Sequence, residues 1–363
     1  MDITIKIGSN VLTNTDGTLH VERMKSLASQ IAKLHEEGNR IILVSSGAMA
    51  AGRSILKGYE QMDAVSQRQL LSSVGQVKLI DTWKQIFDAH NINIGQLLAT
   101  KSDFGSREHY LNMKNCVASL WENGVLPIVN ENDTVSVTAL MFTDNDELSG
   151  LMASMMDCQK LFILSNINGI YNGNPQDPEA KVITEIQSGK SVAEYVQTTK
   201  SSFGRGGMVT KCRTAEKTAG YGIHVYIANG TAENVITRLA TEDPEFPRTH
   251  FQPGEHSPAI KKWIAYSEGF TKANAVINQG AVNALNDHKK AASLLIAGVV
   301  RFEGGEFKSG DLLTIVDETG EKIGVGKSNY DRDKAEKAIV AIRELGIKGG
   351  IKPLIHYDYL CVF

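Results

Sequence analysis

The chain has few cysteines, and none are placed to act together. Cys116, Cys158, Cys212 and Cys361 are scattered without a CxxC pair, which argues against a structural zinc site or a disulfide framework and fits a reducing compartment. No apolar run approaches the roughly 18 residues that a membrane span needs. Neither sign of charge dominates: 38 Lys+Arg against 41 Asp+Glu leave a formal net charge of −3, which argues against general polyanion binding as the main task. The phosphate loop GxxxxGK[ST], the protein-kinase glycine loop with its HRD and DFG partners, and the GxSxG elbow are all absent. Nine histidines lack metal-ligand spacing, so no protein-held metal site is expected. The amino end runs straight into a strand-like DITIKIG, so no secretory leader is expected and the cytoplasm is the expected location.

What remains is ordinary globular material. With 42% hydrophobic and 22% charged residues among 363, neither disorder nor a fibrous class is indicated. The length allows two or three domains with a sizeable core.

Hydrophobic periodicity orders the first two thirds of the chain. Ile3, Ile5 and Ile7 alternate with polar residues before Gly8 breaks the strand. A helix over 21–37 carries Met24, Leu27, Ile31 and Leu34 on one face. RIILVS (40–45) reads as a buried strand running into Ser46-Gly47 and the small-residue helix AMAAGR. Helices follow over 64–90 and 107–122, with a strand at 92–100 between them. Further strands are expected at 125–129, 160–165 and, as the last of this region, 224–228. Strands alternating with helices of crossover length imply α/β architecture, an open mostly parallel sheet with helices on both faces. After Phe251 the character changes. QPGEH (252–256) reads as a linker, with Lys261, Lys262 and Trp263 opening the next module. One helix (280–286) and short strands around Leu294, Leu312 and Ile323 suggest a small β-rich domain. The expected division is 1–252, a linker over 253–272, and 273–363.

Two polar knots stand out. The run 125–129 stops at NEND (130–133), and DND (144–146) opens an apolar-periodic helix through Leu148, Leu151, Met152 and Met155. In an open α/β sheet, ligands bind outside the carboxyl ends of the strands. All seven positions carry acids or amides, as the floor of a polar pocket would. Capping explains one or two of them, but not both clusters. Glycine turns at Gly8, Ser46-Gly47 and 204–207 are each placed where backbone amides can approach an anion. Lys6 lies two residues before Gly8, and Lys211 one turn into the helix opened by Gly206-Gly207. A lone lysine is usually a solvated side chain. Two beside phosphate-style turns can neutralise a phosphoryl group in flight from two directions. Asp146 is the candidate carboxylate between them.

KIGS (6–9), VSSGAMAAGR (44–53), NEND (130–133), DND (144–146) and GRGGMVTK (204–211) resemble the amino-acid kinase family over about 1–250. Within it, the likeness is to the branch that phosphorylates the γ-carboxylate of L-glutamate at the start of proline biosynthesis. The C-terminal portion resembles a PUA domain. The resemblance implies an amino-acid kinase fold plus a PUA-like domain, with ATP and Mg²⁺ as cofactors and the metal held mostly by phosphate oxygens and water. It implies that Lys6 and Lys211 hold the transferring phosphoryl group and that Asp146 orients them. Ser46, Asp133 and Asn145 would hold glutamate, with Asp133 meeting its α-ammonium group. Ser165, Asn166, Arg205, Gly206, Gly207, Met208, Val209, Thr210 and Lys211 would line the nucleotide site, with Lys6 also reaching the nucleotide. The acceptor carboxylate is ionised at neutral pH, so no general base is required. Two positions depart from the family pattern: Ser165-Asn166 replaces a common Thr-Asp, and Thr143 replaces a glycine.

Other readings share part of this pattern. Sister kinases acting on acetylglutamate, aspartate, carbamate or UMP have the same fold and two-lysine logic, but neither NEND nor the appended module is expected in them. PUA domains often bind structured RNA. Residues 274–363 hold twelve Lys+Arg and twelve Asp+Glu, whereas RNA-binding domains usually carry a basic footprint. The family resemblance also implies a homo-oligomer and feedback inhibition by proline, without naming a sensor residue.

Overall fold

Ile3, Ile5 and Ile7 on one face of β1 (Asp2–Ile7), and Thr4 and Lys6 on the other, are all buried. Burial on both faces places this strand inside a sheet covered on two sides. The computed structural model describes the chain except for residues 137–141, 143, 175–176, 193–206, 256–257, 267–269, 288–291 and 346–351. By its contacts the chain divides into two compact units, Met1–His256 and Ser257–Phe363.

In the first unit, β1 is joined by β2 (Arg40–Ser45), β3 (Ile94–Ala99), β4 (Leu126–Glu131), β5 (Lys160–Ser165), β6 (Glu185–Ile186), β7 (His224–Asn229) and β8 (Arg248–Phe251). Their order is β3-β4-β2-β1-β5-β7-β8-β6. Every neighbouring pair runs parallel except β7–β8. The helices are α1 (Ser9–Leu12), α2 (Val21–Glu36), α3 (Ala48–Arg53), α4 (Ala64–Asp88), α5 (Lys101–Gly105), α6 (Arg107–Glu122), α7 (Asn145–Met155), α8 (Gly207–Gly220) and α9 (Val235–Ala240). The expected apolar face of α2 (Met24, Leu27, Ile31 and Leu34) is buried in the core beside Trp83, Phe87 and Phe162. Because β2 and β5 flank β1 on opposite sides, the carboxyl ends of β1 and β5 mark the switch point where such sheets take ligands.

The structure corrects several expectations. The strand at 224 is not the last of this unit, because β8 returns antiparallel beside it. Helix α9 lies between them. Strand β4 does not stop at Asn130 but runs through Glu131, both residues being buried. Polar residues can end a strand inside the fold when every buried group finds a partner, and here each does.

The second unit holds α10 (Ala259–Tyr266), α11 (Gln279–Leu285) and α12 (Arg332–Leu345) with β9 (Ala273–Ile277), β10 (Val299–Gly304), β11 (Leu312–Val316), β12 (Lys322–Lys327) and β13 (Leu360–Val362). The five strands form one sheet in the order β10-β9-β11-β12-β13 over a core of its own that includes Ile277, Leu313, Ile315 and Leu354. Leu294 forms only an isolated bridge with Ile355. A short turn at Ile296–Gly298 separates it from β10. Helix α12 was not expected, although Ala335, Ala338, Ile339 and Ile342 line up at helical spacing against that core.

Candidate functional site

Three charged side chains meet at the switch point. Lys6 arrives from the last turn of side chains on β1. Asp146 is the second residue of α7, and Lys211 lies in the second turn of α8. Lys6 Nζ is 2.6 Å from Asp146 Oδ1, and Lys211 Nζ donates to Asp146 Oδ2. The carboxylate is fully buried, and the lysine side chains are 6% and 11% exposed. Burial pushes the Asp146 carboxyl upward, but the two ammonium groups outweigh it and hold the acid below the usual carboxylate range. Burial pulls the Lys6 ammonium down, with Asp146 opposing and the Lys211 charge adding to the fall. A carboxylate in the first turn of a helix is also favoured by the helix dipole.

Asp144 caps α7, its Oδ1 accepting from the backbone N–H groups of Asp146 at 3.0 Å and Glu147 at 3.2 Å. Its other oxygen accepts from Thr210 Oγ1 at 2.9 Å. One acid therefore both starts α7 and ties it to the first turn of α8. This fixes the distance between Asp146 and Lys211. Burial raises the Asp144 carboxyl, and the nearby Asp146 charge raises it further.

Beside this centre lies a neutral group. Asn145 Nδ2 donates to Ser46 Oγ and to Asn130 Oδ1, both at 2.9 Å. Asn130 Nδ2 in turn donates to Gln76 Oε1 at 2.8 Å. Asn145 Oδ1 is buried without a hydrogen-bond partner among the described residues. Buried acceptors are otherwise paired, so this oxygen is a candidate contact for a polar ligand group. Ser46 is held by the turn after β2, where Gly47 adopts φ 110°, a conformation open to glycine at little cost. Trp83 Nε1 donates to Ser45 Oγ at 2.8 Å and fixes the strand end just before it.

The sequence-predicted residues therefore fall into groups. Lys6, Asp146 and Lys211 meet directly, and Ser46 joins Asn145. Asp133 belongs to a neighbouring cluster, where its Oδ1 accepts from Arg68 Nε at 2.9 Å. Ser165 ends β5 and Asn166 follows it, with Ser165 Oγ 3.4 Å from Asn166 Oδ1. Gly207, Met208 and Val209 open α8, with Val209 60% exposed. Arg205, Gly206 and Thr143 lie outside the described residues. Gly8 does not offer its amide to an anion: its N–H donates to Leu164 O at 3.0 Å. A Cβ at this position would sit 3.2 Å from that carbonyl, a tight contact, and 3.4 Å from Lys6 Nζ. Arg68, Gln76 and the bond by which Thr210 of α8 ties to Asp144 were not expected from the sequence. Periodicity marks such polar residues only as part of a helix or a turn.

Two buried ammonium groups share one carboxylate at the switch point of an open α/β sheet, which leaves this centre one net positive charge. The chain belongs to the amino acid kinase family, whose model matches residues 2–229. A PUA domain model matches residues 274–343. The chain is 52% identical over 361 residues to a glutamate 5-kinase of Bacteroides thetaiotaomicron, covering 99% of this chain and 98% of that protein. It is 43% identical to a glutamate 5-kinase of Chlorobaculum tepidum over 99% of this chain and 96% of that one. Among solved structures, a UMP kinase of Ureaplasma parvum aligns with a TM-score of 0.48 at 15% identity, over 69% of this chain and 98% of that one.

Proposed function

We propose that this chain is an enzyme that transfers the γ-phosphoryl group of ATP to the γ-carboxylate of L-glutamate, forming L-glutamyl 5-phosphate at the start of proline biosynthesis. Family membership and near full-length relatives named glutamate 5-kinase support this reading. The observation that carries it in the structure is the Lys6–Asp146–Lys211 centre.

In the reaction, a γ-carboxylate oxygen attacks the γ-phosphorus, and the bond to the bridging oxygen of ADP breaks. The acceptor carries its charge already, because a carboxyl of this kind ionises near pH ~4.3. Catalysis is then alignment and neutralisation of charge. Lys6 and Lys211 meet the phosphoryl oxygens from two sides, and Asp146 keeps the two cations from driving each other apart. Asn145 Oδ1 and Asp133 supply acceptors for the α-ammonium group, and Ser46 a hydroxyl for the substrate's polar end. Ser165, Asn166 and the 205–211 segment line the nucleotide.

Mg²⁺, when bound, would supply charge neutralisation to the nucleotide phosphates. Among the described residues no three His, Cys, Asp or Glu side chains gather as a metal cage. A magnesium ion would arrive with the nucleotide and be held largely by phosphate oxygens and water. No helix among the described residues is long and apolar enough to cross a membrane. The family resemblance supports a homo-oligomer and feedback by proline, and the scattered cysteines, which fit a reducing compartment, support action in the cytoplasm.

The test is an ATP-dependent acyl-phosphate assay trapped with hydroxylamine. L-glutamate should give hydroxamate with a kcat/KM orders of magnitude above that of N-acetyl-L-glutamate, whose neutral amide cannot form an ion pair with a carboxylate. Similar values for the two acids would sink the assignment.

A further inference from the structure

Helix α4 presents polar side chains to the chain that leaves β4. Gln76 takes the amide of Asn130, and Gln69 Nε2 donates to Thr134 O at 2.8 Å. Arg68 joins two carboxylates. Its Nη2 donates to Glu131 Oε2 at 2.9 Å and its Nε to Asp133 Oδ1 at 2.9 Å. The two acids are 6% and 11% exposed, and the arginine side chain 25%.

The two acids are not used alike. Glu131 Oε1 already accepts from Ser136 Oγ at 2.8 Å and from Phe142 N at 3.0 Å. Both oxygens of Glu131 are therefore committed to fixing the chain around it. Asp133 is engaged only through Oδ1 among the described residues, and its Oδ2 is left open. Two acids and one guanidinium leave a single negative charge, which is the complement of one ammonium group. Without Arg68, two half-desolvated carboxylates would face each other two residues apart and separate.

We propose that Arg68 is a positioning residue for the acceptor: it pins Asp133 Oδ1 to the end of β4 and so aims Oδ2 at the α-ammonium group of the substrate. The proposal rests on the reading of Asp133 as the partner of that ammonium. A planar fork suits the task, because it holds two carboxylates at once in fixed geometry, which a lysine cannot do.

The experiment compares L-glutamate with glutarate, which keeps both carboxylates and lacks the ammonium group. KM is measured, or Ki where the acid is not turned over. Arg68→Gln should raise the KM for L-glutamate on the order of 30-fold, the low end of the loss when a buried charge pair loses one partner. The KM for ATP and the glutarate constant should stay near wild type, and Arg68→Lys should recover part of the loss. Weakening of glutamate and glutarate alike would mean that Arg68 only supports the fold, and no change in either would also overturn the proposal. Asp133→Asn separates the two levels. If it leaves the KM for L-glutamate intact, the reading of Asp133 falls; if it raises that KM while both Arg68 variants behave as wild type, only the role of Arg68 falls.

Discussion

A carboxylate with no exposed surface persists in a fold only when its charge is met. Asp146 is met twice, by Lys6 and Lys211, and this arrangement makes the Lys6 charge depend on its neighbours. For Lys6 the balance falls on the side of proton loss: burial lowers it, Lys211 lowers it further, and Asp146 only partly restores it. Raising the pH therefore strips the Lys6 charge before that of an ordinary lysine near pH ~10.4. Since kcat/KM reports the free enzyme, its alkaline limb should begin below the ordinary lysine range. Lys6→Arg should move that limb upward while lowering the plateau, because a guanidinium holds its proton but has a different shape. A wild-type profile flat through pH 10 would show that Lys6 keeps its charge and that the balance is misjudged. This triad could be read in the sequence because each member sits beside a strand end or helix start. Arg68 sits in the interior of a long helix, where an arginine reads as a solvated side chain, and only the fold brings it to Glu131 and Asp133.

At the scale of elements, the residues proposed for the acceptor are placed by how closely α3 and α4 cross. A Cβ on Gly75 would fall 1.7 Å from Ala48 O, and one on Gly52 would fall 2.0 Å from Leu71 O. The two glycines lie four residues after Leu71 and Ala48, so each helix puts a bare stretch of backbone against the other. This contact places the Ser46-Gly47 turn, which starts α3, in fixed relation to Arg68, Gln69 and Gln76 on α4. Gly75→Ala should therefore destabilise the protein by about 3 kcal/mol, the upper end for overpacking, and should weaken the acceptor more than ATP. Urea unfolding and the two KM values check this. A stable Gly75→Ala protein with unchanged KM values would mean that the crossing has slack. Periodicity placed α3 and α4 in the sequence, since their apolar spacing and the glycines around them are local signals. Their contact was not legible, because a glycine inside a helix looks the same whether it faces a partner helix or solvent. The extension of β4 through Glu131 was hidden for a related reason. Asn and Glu are poor strand formers by propensity, and here the side-chain partners of Asn130 and Glu131 override it.

For the whole molecule, the question is how much of the chain the chemistry needs. The alternation of strands and helices made the first unit's architecture legible, whereas its antiparallel β8 is too short to stand out among loops. In the second unit, glycine-punctuated strands were visible, but α12 was missed because its alanines dilute the apolar pattern. Every residue placed in the reaction, from Lys6 to Lys211, lies within Met1–His256. That unit has its own buried core from Ile3 to Phe246, and the second unit has a separate one. Units with separate cores can in principle fold alone. A chain ending near residue 256 should therefore remain folded and form glutamyl hydroxamate with a kcat within a few-fold of the full chain. The side chains proposed to meet the transferring group are left untouched by this cut. Proline sensitivity and subunit assembly are the properties free to change, and gel filtration with a proline titration would read them separately from turnover. A truncated protein that is soluble and cooperatively folded yet has no detectable turnover would mean that residues beyond 256 contribute to the reaction itself.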